Sequence, residues 1–234
     1  MDESLAIQQT LKYAEELRQL HEEERVQRAR AERALSRLEA SYTTTVRALA
    51  AALELRDDIT GNHAERVTTL ALLLTRQVAP ELADEPELEY GFLLHDIGKI
   101  GIPDAILLKP GPLDPAESKV MQAHPLLGDR IVARVPYLGG VAREVVVSHH
   151  ERWDGAGYPS GLAGDEIPLP ARIFALADAF DAMTSDRPYR PAVGRAHALE
   201  EIREGAGHQF DPAIANAFVT IAPSPQRHAR RSVA

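Results

Sequence analysis

Val145-Val146-Val147-Ser148-His149-His150 is the stretch on which the fold class turns. Three β-branched residues in a row suit a short buried strand, but a buried helical turn accommodates them too, so only the surroundings decide. From Gly61 onward the apolar residues keep helical spacing. They are cut into segments by turn signals at Pro80, Pro86, Pro103, Pro110-Gly111-Pro112, Pro125, Gly139-Gly140 and Pro168-Leu169-Pro170. No run of alternating strands accompanies the valines. They therefore read as a helical turn, and the chain reads as all-α.

Upstream the pattern changes. All 15 glycines and all 16 prolines lie from Gly61 to the C-terminus, leaving about sixty residues rich in Ala, Leu, Glu, Arg and Gln without a strong breaker. One long helix is predicted there. Leu35, Leu38, Tyr42, Thr45, Leu49 and Ala52 recur in threes and fours, the seam of a coiled coil, whereas Leu17 and Leu20 are followed by polar Glu24 and Gln27. Residues 1–40 are thus expected to be a dimerising or signal-transmitting stalk, the alternative being a lone helix lying on the domain. Residues 41–222 form the main domain. The Pro-, Ser- and Arg-rich residues 223–234 read as a frayed basic tail.

With 234 residues, 44% of them hydrophobic, the chain can bury the core of one ordinary domain plus an appendage. No apolar stretch is long enough to cross a membrane, and the N-terminus lacks the basic start and apolar run of a secretion signal, so a cytoplasmic location is expected. The absence of cysteine removes disulfides, thiolate metal sites and a cysteine nucleophile, leaving imidazole and carboxylate as metal ligands. A net charge of −9 argues against a nucleic-acid polymer as partner. A small anionic ligand remains compatible, because a few cations in one cleft set the local potential.

Five of the nine histidines stand beside acids or turn residues: His63, His95, His124 and the adjacent pair His149-His150. Singly, each reads more readily as a structural histidine than as a ligand. Side by side, two imidazoles gain most when both bind a metal in the neutral form. Asp178 and Asp181 sit three apart in an apolar helical stretch, and a buried carboxylate needs a strong partner. His63, His95, Asp96, His124, His149, His150 and Asp178 are too many donors for one ion and fit two that share Asp96. Mixed nitrogen and oxygen donors suit iron, manganese or zinc.

The order His63, His95-Asp96-Ile97-Gly98-Lys99, His124-Pro125, His149-His150-Glu151-Arg152-Trp153-Asp154-Gly155-Ala156-Gly157-Tyr158-Pro159 and Asp178 strongly resembles the HD-GYP family of the HD metal-dependent phosphohydrolases. The likeness runs from about Ser41 to Val219 and takes in Ile102 to Gly111, Thr184 to Arg190 and Gln209-Phe210-Asp211-Pro212. It implies an HD-type helical bundle hydrolysing the second messenger cyclic di-GMP to linear pGpG, and further to GMP if both steps are completed. By position, one metal ion falls to His63, His95, Asp96 and Asp178 and the other to Asp96, His124, His149 and His150. Iron or manganese is implied ahead of zinc, nickel or magnesium. Some members bind a third ion through a glutamate one turn before the first histidine; Ile59 stands there, so a binuclear centre is expected. Two ions sharing a carboxylate activate water for attack on phosphorus, and no protein nucleophile is needed.

The same resemblance gives Lys99 a role at the scissile phosphate or leaving oxygen, has Asp181 orient Lys99 or the water, and makes Arg187 and Arg190 phosphate contacts. The loop with Gly157, Tyr158 and Pro159 reads either as a surface that stacks on guanine or docks a partner, or as a shaper of the backbone beside the paired histidines. A sensory module upstream of the stalk is a further expectation. The competing functional readings are a non-catalytic sensor of a cyclic dinucleotide and an HD phosphohydrolase acting on another nucleotide.

Overall fold

The computed structural model describes residues 3–56, 62–186 and 191–221. Ile59, Arg187, Arg190 and the tail at 223–234 lie outside the described residues. Helices succeed one another along the chain: α1 (Glu3–Arg56), α2 (His63–Val78), α3 (Pro86–Leu93), α4 (Asp104–Leu107), α5 (Pro115–Met121), α6 (His124–Val132), α7 (Val141–Ser148), α8 (Leu169–Thr184), α9 (Arg195–Gly205) and α10 (Pro212–Ile221). Short 3-10 turns occupy Pro80–Leu82, Ile97–Gly101, Pro136–Leu138 and Gly164–Glu166. The described residues contain no strand, only isolated bridges joining Asp154 to Ala163 and Ala206 to Phe210. The valine run is helical and lies in α7 with Val145 and Val146 buried. The all-α reading is correct.

Local chemistry sets the boundaries. Proline opens α3 and α5, and falls near the start of α6 and α8, where a missing N–H costs nothing. Asp114 accepts from the N–H groups of Ala116 and Glu117 while Glu117 accepts from the N–H of Asp114, a complete capping box on α5. At the start of α2 the cap comes from a distance: Glu54 accepts from the N–H of Asn62 at 3.0 Å and of Ala64 at 2.5 Å. Its negative charge also complements the helix dipole there.

The chain divides into two units, Met1–Thr45 and Val46–Ala234. The first is the long part of α1, on which Leu17, Leu20, Leu35 and Leu38 are all exposed. In the second, the last turns of α1 bury Val46, Ala50 and Leu53, while Leu49 stays half exposed. The core is organised on α8, whose Ile173, Phe174, Leu176 and Ala177 are fully buried against Val67, Ala71 and Leu74 of α2, Ile202 of α9 and Phe218 of α10. Phe174 stacks on Phe92, with ring centroids 5.2 Å apart, and its ring also meets His95 at 4.6 Å. Burying such a side chain contributes roughly 1.5–3 kcal/mol, so the floor of the histidine cluster is part of the core.

Candidate metal centre

Each residue of the cluster stands at a helix end or on the face of α8. His63 is the first residue of α2, and His124 the first of α6. His149 and His150 directly follow α7, and His95 and Asp96 lie between α3 and the 3-10 turn that carries Lys99. That turn lies against the start of α6 so closely that a Cβ on Gly98 would stand 1.8 Å from the carbonyl oxygen of His124. Arg56, at the end of α1, holds it from the other side by donating to the carbonyls of Lys99 at 2.9 Å and Ile102 at 2.7 Å. All seven proposed ligands converge. Asp96, His124, His149 and His150 offer donor atoms within 4.8 Å of one another, and so do His63, His95 and Asp178. The groups meet where Asp96 Oδ2 lies 3.0 Å from His95 Nε2.

Hydrogen bonds fix which nitrogens face inward. Nδ1 of His95 donates to the carbonyl of Phe92 at 2.9 Å, Nδ1 of His124 to Met121 at 2.8 Å, and Nδ1 of His149 to Val146 at 3.0 Å. A carbonyl can only accept, so in the neutral rings the proton is on Nδ1 and the Nε2 lone pair points into the cluster. There the Nε2 atoms of His124 and His149 lie 3.2 Å apart, and Asp96 Oδ1 lies 3.2 Å from the first of them. Asp96 Oδ1 is buried and makes no hydrogen bond. Three electron-rich atoms in contact with no proton between them are stabilised by a cation, and the residues fit a divalent ion.

The electrostatics agree. Burial holds His149 below the usual imidazole range and His150 well below it, so both rings are neutral at neutral pH and free to act as ligands. Burial opposes ionisation of Asp96, but Lys99 and His95 outweigh it and hold the carboxyl well below the carboxylate range. His63 is the exception. Burial disfavours its charge, yet Asp178, 3.3 Å from Nε2, and Asp181, 2.7 Å from Nδ1, raise its pKa to about 9. Without metal this ring therefore holds a proton that an ion must displace. Metal affinity at His63 is expected to rise about tenfold per pH unit between pH 6.5 and 8.5, and to level off near 9. Competition titration against a chromophoric chelator would check this, and a pH-independent affinity would contradict it.

The carboxylate of Asp181 lies 2.7 Å from His63 Nδ1 and accepts from the guanidinium of Arg66 at 2.8 and 2.9 Å. Lys99 stands on Asp96 Oδ2 at 2.9 Å. Three supporting residues escaped the sequence reading. Arg66 was findable, being one helical turn after His63 on the same face. Buried Glu151 accepts from the N–H groups of Ser160 at 2.7 Å and Leu162 at 3.1 Å, and so fastens the Gly157-Tyr158-Pro159 loop. Its adjacency to the paired histidines was the only signal. Glu54 gave none, because its partners are eight and ten residues away across a turn.

The loop shapes the site. Gly157 packs so tightly on residues 150–152 that a Cβ would stand 2.4 Å from the nitrogen of Arg152. The ring of Tyr158 stacks on His150 with centroids 4.7 Å apart and also lines a cleft of about 590 Å³. That cleft opens from His149, His150 and Asp178 along the small residues Ala175, Ala179 and Ala182 of α8.

A family model described as the HD domain matches residues 47–214. A cyclic di-GMP phosphodiesterase of Vibrio cholerae is 42% identical over 187 residues, covering 74% of this chain and 38% of that protein. One of Thermotoga maritima is 43% identical over 170 residues, covering 72% and 46%. The chain thus spans half or less of the curated relatives it matches. Among solved structures, a cyclic GMP-AMP specific phosphodiesterase of V. cholerae superimposes with a TM-score of 0.58 at 21% identity, covering 77% of this chain and 48% of that one, a likeness of fold.

Proposed function

The chain belongs to the HD domain family and carries the sequence features of its HD-GYP branch, and from that premise we propose that it is a metal-dependent phosphodiesterase that hydrolyses cyclic di-GMP to linear pGpG, and to GMP if both hydrolytic steps are completed. The observation that carries this reading is the buried, unprotonated contact among His124 Nε2, His149 Nε2 and Asp96 Oδ1. With the second group of close donors, it supports Asp96, His124, His149 and His150 as ligands of one ion and His63, His95, Asp96 and Asp178 as ligands of another; iron or manganese is the proposed metal. When bound, such a pair supplies a hydroxide nucleophile at neutral pH and neutralises the phosphoryl oxygens of the transition state.

The protein's own groups do the rest. Asp96, kept ionised by Lys99, offers one oxygen to each half of the cluster. Lys99 adds positive charge at that carboxylate for a scissile phosphate. Arg66 and Asp181 hold His63 with Nε2 turned to Asp178. Phe174, fully buried with Ile173, Leu176 and Ala177 of α8, excludes water from beneath the rings, which strengthens every charge interaction above them. Metal quantification combined with chromatography of products over time tests the proposal. About two ions per chain with loss of cyclic di-GMP supports it; full metal loading without turnover under iron and manganese would favour a binding module instead.

The stalk is proposed to hold two copies together. Leu35, Leu38 and Leu49 of the predicted seam are 55%, 62% and 50% exposed, whereas Val46, Ala50 and Leu53 of α1 are buried within the domain. A face of this kind is covered in a coiled-coil dimer. Sedimentation of the intact chain is expected to give a dimer, and Leu35→Glu with Leu38→Glu a monomer that keeps its metal.

A further inference from the structure

The cleft beside the metal cluster contains three acids, and two are already committed. Asp178 belongs to the cluster, and Glu151 is held by the backbone of the loop. The third, Glu201 on α9, touches only the exposed ring of His197, at 3.5 Å, among the described residues. The same cleft is lined by Gln122 and Gln209, whose side-chain amides make no hydrogen bond to the described residues, and by Met183 and Phe210. A carboxylate accepts hydrogen bonds and repels phosphate, so this part of the cleft is unsuited to the backbone of a dinucleotide. It suits a flat group with two adjacent N–H donors and apolar faces.

Resting on the cyclic dinucleotide reading above, we propose that Glu201 is a specificity-determining residue that reads the base edge and selects guanine. Guanine presents N1–H and N2–H side by side, which two carboxylate oxygens accept together. Adenine presents one donor and one acceptor on the corresponding edge, so one carboxylate oxygen would face a lone pair. An amide in place of the carboxylate offers one acceptor and one donor, which is the complement of adenine. The Met183 and Phe210 side chains supply the apolar wall for either base.

The test uses binding as well as turnover. Phosphorothioate analogues of cyclic di-GMP and cyclic di-AMP, which resist hydrolysis, are titrated into the manganese-loaded full chain and its Glu201→Gln variant. Hydrolysis of the natural dinucleotides is followed in parallel. The wild type is expected to prefer the guanine ligand, and Glu201→Gln to shift the ratio of affinities towards adenine by about tenfold, with metal content unchanged. An unchanged ratio in Glu201→Gln, or a wild type that binds neither ligand, overturns the assignment. A shifted ratio without any hydrolysis would sustain it while removing the hydrolase reading.

Discussion

Asp96→Asn is expected to abolish phosphodiesterase activity and lower the metal content from about two ions per chain to one or none. The amide keeps the size of the carboxylate and removes its charge. Asp96 is the residue whose two oxygens face both halves of the cluster, Oδ2 at His95 and Oδ1 at His124. Losing it costs several kcal/mol of transition-state stabilisation, about a thousandfold in rate or more. The fold is expected to survive, because the core residues of α2, α3, α7 and α8 do not depend on Asp96. Unchanged helical content by circular dichroism, together with a lowered metal-to-chain ratio, would distinguish loss of the centre from loss of the protein. A variant that retained both ions and most activity would show that Asp96 is not the shared ligand.

Gly98→Ala is expected to be the most damaging of the small substitutions. The added Cβ would stand 1.8 Å from the carbonyl oxygen of His124 and 2.4 Å from the nitrogen of Gly128, both backbone atoms that cannot rotate away. Either the 3-10 turn or the start of α6 must move. Overpacking of this kind costs about 3 kcal/mol, or roughly 6–12 °C in the unfolding midpoint for a domain of this size. The same movement separates Asp96 from His124, so metal uptake falls too. Gly139→Ala is the control: Gly139 has right-handed helical dihedrals, and the carbonyl oxygen of Pro136 would be 3.5 Å from the Cβ, an ordinary van der Waals contact. Thermal unfolding and metal content should be indistinguishable from wild type in that variant and strongly reduced in the first.

Much of this was legible in the chain. Helical spacing with prolines between segments predicted the all-α bundle, because the period of apolar residues reports directly on which face must be buried. A breaker-free start predicted α1. The seven candidate ligands were legible because imidazole and carboxylate were the only donors left once cysteine was absent. The roles of the supporting residues were less legible. The resemblance has Asp181 orient Lys99 or the water; its contacts with His63 and Arg66 arise because α8 faces α2, which spacing along the chain does not reveal. In α1, Val46, Ala50 and Leu53 turn to the domain, one position round the helix from the seam residue Leu49, a difference that heptad spacing alone does not reveal.

By itself the sequence determined the fold class, the set of donor atoms and the elements that carry them, because spacing and side-chain chemistry are properties of the chain. Only the tertiary structure decided which donor meets which. The tautomers of His95, His124 and His149 depend on carbonyls that close in space once helices end, and the crowding of Nε2 lone pairs on Asp96 Oδ1 depends on the approach of Gly98 to α6. Hydrogen bonding and Coulomb interaction fall off over a few ångströms, so they are fixed by packing and not by order along the chain.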